Sequence, residues 1–275
     1  MTSAASEWIG RKREASETIT DRQIHEFRVT LDGFLGEGED LPGFHWCLVP
    51  EIYPPEDLGR DGHPKLGLFL PDLGLPRRMW AGGRVCYHGG IRAGETVTRQ
   101  TTVKDIQFKE GRSGTLGFVT LDHDYLFDRE LRISEQHNIV YREDPAPGAP
   151  ALTPPKAEAW TVLKSIEVLP TPTLLFRYSA MTFNGHRIHY DKAYATGVEG
   201  YDGLVVHGPL QSTWMQILAT RILQRLPKEF SYRGVSPLIC GRPAVVEAME
   251  SEPGTLALRV RDKDNDVVTM EARAA

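Results

Sequence analysis

The sequence predicts an α+β protein made of two similar antiparallel-sheet units. Three observations carry that prediction. Segments with period-two alternation of apolar residues occur on both sides of a proline-rich break. One long helix signal stands out in the second part. A short echo links the two parts, because Gly114-Thr115-Leu116 and Gly254-Thr255-Leu256 each open a strand after a turn.

Taken in order, the alternating runs over 84–87, 96–108, 114–122 and 131–141 are rich in β-branched residues and separated by turn residues, so they read as strands. The run 143–155, EDPAPGAPALTPP, is a connector, since proline fixes φ and removes an amide donor. It places one domain over 1–145, a linker over 146–158 and a second domain over 159–275. Beyond it, 161–168 and 173–179 read as strands, and 181–207 as an irregular polar stretch. A helix is predicted over 209–226, where Leu210, Trp214, Ile217, Leu218, Ile222 and Leu223 recur every three or four residues. Pro209 suits its first turn and Pro227 stops it. Strands over 243–248, 255–261 and 267–272 close the chain.

Composition narrows the function. The 275 residues are long enough to bury a core without covalent staples. A formal charge of -5 with mixed signs lacks the basic stripe that phosphate contacts demand, so no nucleic-acid partner is expected. Cys47, Cys86 and Cys240 form no paired spacing, which argues for reduced thiols rather than a disulfide frame. No apolar run reaches the roughly 20 residues of a membrane span. The N-terminal stretch also lacks the apolar core of a signal peptide. A cytoplasmic protein without membrane contact is expected, or one of the mitochondrial matrix if the source is eukaryotic.

The densest polar cluster lies over 176–209 and contains Arg177, Asn184, His186, Arg187, His189, Asp191 and His207. Three chemistries fit these residue types. His186, His189 and Asp191 offer metal-ligand atoms, although Gly185 disfavours the helix that would align them, and no further ligand motif accompanies them. The histidines could instead cap helices or bond to backbone. A neutral His beside an amide could also activate water. For that last chemistry the sequence supplies a further part: Gly208 opens the helix, where unpaired N–H groups meet partial positive charge and can hold an oxyanion.

The stretch resembles the hydratase motif of the MaoC-like hot-dog proteins, Asp-x-Asn-Pro-(Ile/Leu)-His followed by a His-Gly-(Met/Pro)-Leu turn. Ile188 and His189 match, and so does His207-Gly208-Pro209-Leu210. Asn184 stands at the Asp position, and His186-Arg187 replace Asn-Pro. The run from Thr182 to Asp191 is similar to a subgroup holding mitochondrial hydroxyacyl-thioester dehydratases and mesaconyl-CoA and itaconyl-CoA hydratases. Trp8-Ile9-Gly10-Arg11 and the stretch from Leu75 to Gly83 look like that subgroup's first half.

The resemblance implies a double hot-dog fold, two curled sheets each around a central helix, with catalysis in the second unit and pocket-shaping in the first. It implies water addition to an unsaturated acyl thioester, with His189 as base, Asn184 holding water and the Gly208 N–H on the thioester oxygen. Either His189 shuttles both protons or Asp191 supplies an acid; the other role for Asp191 is a helix cap. A dicarboxylic acyl group would want an arginine clamp, for which Arg77, Arg78, Arg177 and Arg187 are candidates. Tyr190 and His207 are further candidate contacts. No metal and no cofactor are implied beyond the coenzyme A or acyl carrier protein that carries the substrate, and a homodimer is the assembly the resemblance allows. The alternatives are a 3-hydroxyacyl dehydratase of fatty-acid metabolism, marked by a long apolar pocket, a thioesterase, and a non-catalytic acyl-thioester binding module.

Overall fold

A computed structural model describes residues 5–31, 33–35, 40–111, 114–144, 154 and 156–275. In the first half, β1 (Lys12–Thr18) is followed by helix α1 (Asp21–Thr30), a 3₁₀ turn at Phe44–Cys47, β2 (Arg77–Tyr87), β3 (Thr96–Gly111), β4 (Gly114–Phe127) and β5 (Glu130–Arg142). The second half runs β6 (Lys164–Val168), α2 (Pro172–Met181), α3 (Lys192–Gly197), α4 (Gly208–Leu223), β7 (Glu229–Gly234), β8 (Ala244–Glu252), β9 (Thr255–Asp262) and β10 (Val267–Ala274).

All ten strands join one antiparallel sheet in the order β1-β3-β4-β5-β2-β7-β10-β9-β8-β6. Counted from each outer edge, the halves have the same order: first strand, third, fourth, fifth, second. The sequence echo falls on this symmetry, because Gly114 opens β4 and Gly254 opens β9, its counterpart. Both glycines take positive φ, +102° and +75°, at the hairpin turn. The halves meet where β2 pairs with β7, Gly82 opposite Arg233 through Cys86 opposite Glu229.

Alternation builds the strands as expected: along β4, Val119, Leu121, His123, Tyr125 and Phe127 all point inward. His123 is the polar member of that row. The second half's central helix is α4, buried on all sides from Leu210 to Ala219. Its polar residues are accommodated by partners: Thr269 donates to Gln211 at 2.7 Å, and the Tyr87 hydroxyl donates to Gln216. The first half has a short 3₁₀ turn at Phe44–Cys47 between α1 and β2, and α1 packs against α2.

Two sequence expectations change. The run 173–179 is not a strand but lies within α2, capped by the Thr171 hydroxyl accepting from Leu174 N–H at 3.2 Å, with Pro172 in the first turn. The long helix stops at Leu223, because Gln224 takes a left-handed φ of +56° before Pro227 is reached. The connector falls mainly outside the described residues; its end is pinned to the second half by a bridge from Lys156 to Val267. No helix among the described residues is long and apolar enough to cross a membrane.

Trp214 on α4 is fully buried and meets Phe34 of the first half at 6.0 Å between ring centroids. Trp214→Ala is expected to cost about 3–5 kcal/mol in urea denaturation, the usual range for deleting a large aromatic from a core.

Candidate active site

Between α2 and α4 the chain is folded by local polar bonds rather than by regular structure. The Asn184 N–H donates to Ser179 O at 2.8 Å, and Asn184 Oδ1 accepts the His186 N–H at 2.9 Å, an Asx turn. A 3₁₀ turn at Arg187–His189 follows. The Val205 N–H donates to Ile188 O at 3.0 Å, and the His189 Nδ1–H donates back to Val205 O at 2.7 Å. That bond fixes the tautomer and leaves Nε2 as an acceptor.

His189 lines a cavity of about 2460 Å³ whose wall comes from both halves. Asn184, His186, Tyr190 and Gly208 line it from the second half. Gly208 begins α4, so its N–H belongs to the first turn and has no intrahelical partner. Glycine is required there, since a Cβ would collide with the Trp80 ring.

The first half supplies Trp46, His63, Arg78, Trp80, Arg99, His123, Glu135 and His137, residues the polar motif gave no means of placing. Arg78 and Trp80 are alternate residues of β2 and share one face. Among the described residues neither Arg78 nor Arg99 has a carboxylate oxygen within 4.0 Å. Their charges act through space on Glu51, Asp61 and Glu135 rather than through a direct ion pair.

The other sequence candidates separate. Arg77 also borders the cavity, but it is buried and bonded to Glu199 at 2.8 Å, a structural pair between the halves. Asp191 is the N-cap of α3, accepting from Tyr194 N–H, and its other oxygen accepts from Arg187 Nη2 at 2.8 Å. Both are thereby engaged away from the cavity wall, which corrects Asp191 as the substitute acid and Arg187 as a clamp. Arg177 is exposed on α2 and does not reach the cavity. His207 is fully buried behind His189, rings stacked at 3.6 Å, with Nε2 and the Ser179 hydroxyl 2.8 Å apart. It supports the base rather than touching the cavity. The metal-ligand trio of the sequence does not converge, because Asp191 is held by α3 and Arg187.

Burial sets the electrostatics. Desolvation lowers the His189 imidazole to about 3 and His137 to about 4. His186 is pushed down by burial and by the neighbouring rings of His63 and His189. The cavity therefore presents neutral imidazoles at neutral pH, with burial opposing their protonation.

Comparison with known proteins fits this geometry. The family model for hydroxyacyl-thioester dehydratase type 2 matches residues 43–240. The chain belongs to that family. It is 41% identical over 237 residues to the mesaconyl-C(4)-CoA hydratase of Chloroflexus aurantiacus, covering 84% of each chain. The fold is that of the HtdX protein of Mycobacterium tuberculosis, with a TM-score of 0.67 at 15% identity over 96% of this chain and 98% of that one. A second Mycobacterium tuberculosis protein, described as having a double hotdog fold, superposes at a TM-score of 0.58 and 14% identity, over 97% and 95% of the two chains. The predicted double hot-dog architecture is thus present, and family members bear the names of hydro-lyases.

The buried histidines set an acid limit on stability. Their folded pKa values lie below the unfolded value near 6.5, so their neutral form is favoured by folding. That contribution is full above about pH 6.5 and is lost as pH falls through it. His45 and His189, both at about 3, and His137, at about 4, should each cost up to about 1.4 kcal/mol per pH unit below that point. Urea midpoints measured from pH 8 to 5 should fall steadily below pH 6.5.

Proposed function

We propose that the chain reversibly hydrates a short α,β-unsaturated acyl-CoA thioester bearing a free carboxylate, mesaconyl-CoA or itaconyl-CoA, to a hydroxyacyl-CoA. The observation that carries this reading is that His189 and Gly208 line one cavity whose first-half wall includes Arg78, which makes no ion pair among the described residues. The relative named for mesaconyl-C(4)-CoA supports the same substrate class.

In this mechanism His189 Nε2 takes a proton from water as the oxygen adds to the β-carbon. Asn184 helps orient that water. The double-bond electrons move onto the thioester, whose oxygen is held by the Gly208 N–H at the positive end of α4. Protonation at the α-carbon completes hydration, and the reverse sequence is dehydration.

Arg78 binds the distal carboxylate. It stands two residues along β2 from Trp80, which lies against Gly208, so the same strand reaches both the helix start and the arginine. The family's description favours a second reading, dehydration of a 3-hydroxyacyl thioester in fatty-acid metabolism. The first half's wall sets Arg78, Arg99 and Glu135 among apolar side chains such as Trp80, Leu121 and Ile139, so it offers charge for a carboxylate beside surface for an acyl chain.

The test is the loss of conjugated-thioester absorbance with crotonyl-, mesaconyl- and itaconyl-CoA in parallel. A dicarboxylic substrate should be consumed fastest, and His189→Ala should lower kcat by about 10²–10⁴-fold without unfolding the chain. A binding module would show affinity and no turnover with any substrate. Arg78→Met should lower kcat/KM for the dicarboxylic substrate by about 10–100-fold, the loss of one charged hydrogen bond. Its rate with crotonyl-CoA, which has no carboxylate to hold, should be little changed; equal losses on both substrates would remove Arg78 from recognition.

A further inference from the structure

His186 does not meet Asp191, but it has other neighbours with metal-ligand atoms, and they come from the first half. Residues 60–62 are docked on the motif of the second half: the Arg187 N–H donates to Asp61 O at 2.8 Å, and Arg187 Nη1 donates to Arg60 O at 3.1 Å. Gly62, at φ +87°, lies so close to Gly185 that a Cβ would strike the Gly185 carbonyl. This docking brings the His63 ring to 4.2 Å from that of His186, measured between centroids. One donor atom from each of Asp61, His63 and His186 lies within 4.8 Å of the other two.

Three features of this trio point to a bound ion. The donors are two imidazole nitrogens and a carboxylate oxygen, the set that zinc and its borderline neighbours take. Asp61 Oδ2 and His63 Nδ1 are 2.9 Å apart. Two ligands each about 2.1 Å from one metal and at right angles would be about 3.0 Å apart, so this pair already stands at ligand spacing. His186 is 8% exposed, yet its ring makes no hydrogen bond among the described residues; only its backbone N–H is bonded, to Asn184 Oδ1. A buried imidazole without a partner is costly unless something takes its nitrogen. The ring is also free to turn toward the other two donors without breaking a bond.

A simple hydrogen bond from His63 to Asp61 would explain that pair, but it leaves the His186 ring unpartnered. The charges nearby permit an ion. Asp61 and Glu51 act on His63 with negative charge and Arg78 with positive charge, so two carboxylates stand against one guanidinium.

We propose that Asp61, His63 and His186 bind one borderline divalent cation, with zinc the best fit, across the seam between the two halves. Two ligands belong to the loop after Arg60 and one to the motif that carries His189, so the ion would pin that loop to the turn that orients the base. Three protein ligands leave a coordination position free, and the cavity that His63 and His186 line can fill it with water or a ligand oxygen. No step of the hydration reaction passes through the ion, so the site stands or falls independently of that reading.

The experiment uses the full chain stripped with a chelator and dialysed, with zinc and cobalt(II) as probes and no thioester present. The intact chain should retain one zinc per chain through gel filtration, and zinc should raise its melting temperature. Cobalt(II) should give a d–d absorption band that one equivalent of zinc removes. His186→Gln, His63→Gln and Asp61→Asn should each weaken zinc binding by more than the roughly 10–100-fold that loss of an outer-shell partner costs. His88→Ala, which removes an exposed histidine elsewhere, should bind zinc like the intact chain. Melting curves of the metal-free variants check that each is folded. X-ray absorption of the zinc-loaded intact chain should report two imidazole ligands with the rest oxygen, a reading that needs no variant to fold. An intact chain that retains no zinc, variants that hold zinc as tightly as the intact chain, or a spectrum without imidazole ligands would overturn the site. Each of those outcomes leaves hydration to be judged by the thioester assay alone.

Discussion

The Trp80 ring lies against the backbone of Gly208, and this contact fixes where the chemistry can occur. Trp80 belongs to the first half and Gly208 opens the central helix of the second. The ring is held from its other sides as well: it stacks on Tyr232 at 4.4 Å with 12° between planes and meets Trp46 edge-on at 5.7 Å. Trp46 Nε1 and the Tyr232 hydroxyl both donate to the buried carboxylate of Glu135, at 3.0 and 3.2 Å. Three aromatic rings, two from one half and one from the other, therefore turn on a single acid. The β2–β7 pairing makes this possible by setting Gly83 opposite Tyr232. The helix start is thus positioned by both halves, and neither half alone builds the wall that faces His189.

The two halves share a strand order but have diverged in what they supply. The second keeps a long buried helix, an exposed N-terminal amide and the turn that orients His189. The first has only a short turn at Phe44–Cys47 between its helix and β2, and it lines the cavity with Arg78, Arg99, His63 and the buried Glu135. Burial pushes Glu135 up and the histidines down, so the wall is less charged than its composition suggests. Among the groups that stay charged are Arg78 and Arg99, whose guanidinium groups remain protonated in any protein setting, and Glu51, whose carboxyl is held below its usual range by Arg13, Arg99 and Arg78. A neutral base and a fixed cation can therefore coexist in one cavity without neutralising each other.

The legible parts of the sequence were those governed by local rules. The strands from 96 to 141 and from 244 to 274 follow from alternation, and α4 follows from its apolar spacing and Pro209. The segment 173–179 misled because Leu174, Phe176 and Tyr178 alternate like a strand; the decisive signals were Thr171 and Pro172, a cap and a first-turn proline just upstream. β1 and α1 carry few buried residues, Phe27 alone in α1, so their patterns are faint. At the site, the motif from Asn184 to Gly208 was readable because the chemistry is contiguous. His63, Arg99 and Trp80 were not, since each reaches the cavity through strand pairing or loop docking more than a hundred residues away from His189 or close to it. Arg77 and Arg78 look equivalent in sequence; both border the cavity, but Arg77 is bonded to Glu199 while Arg78 makes no ion pair among the described residues.

Asn184 follows from the same electrostatic constraint. Its carbonyl oxygen is spent on the His186 N–H, a bond that a carboxylate could make equally well. What a carboxylate would add is a second negative charge close to the imidazoles. It would raise the proton affinity of His186 and His189 and hold an imidazolium in place. An amide keeps the turn and can still donate to water, while adding no charge beside the two neighbouring buried rings.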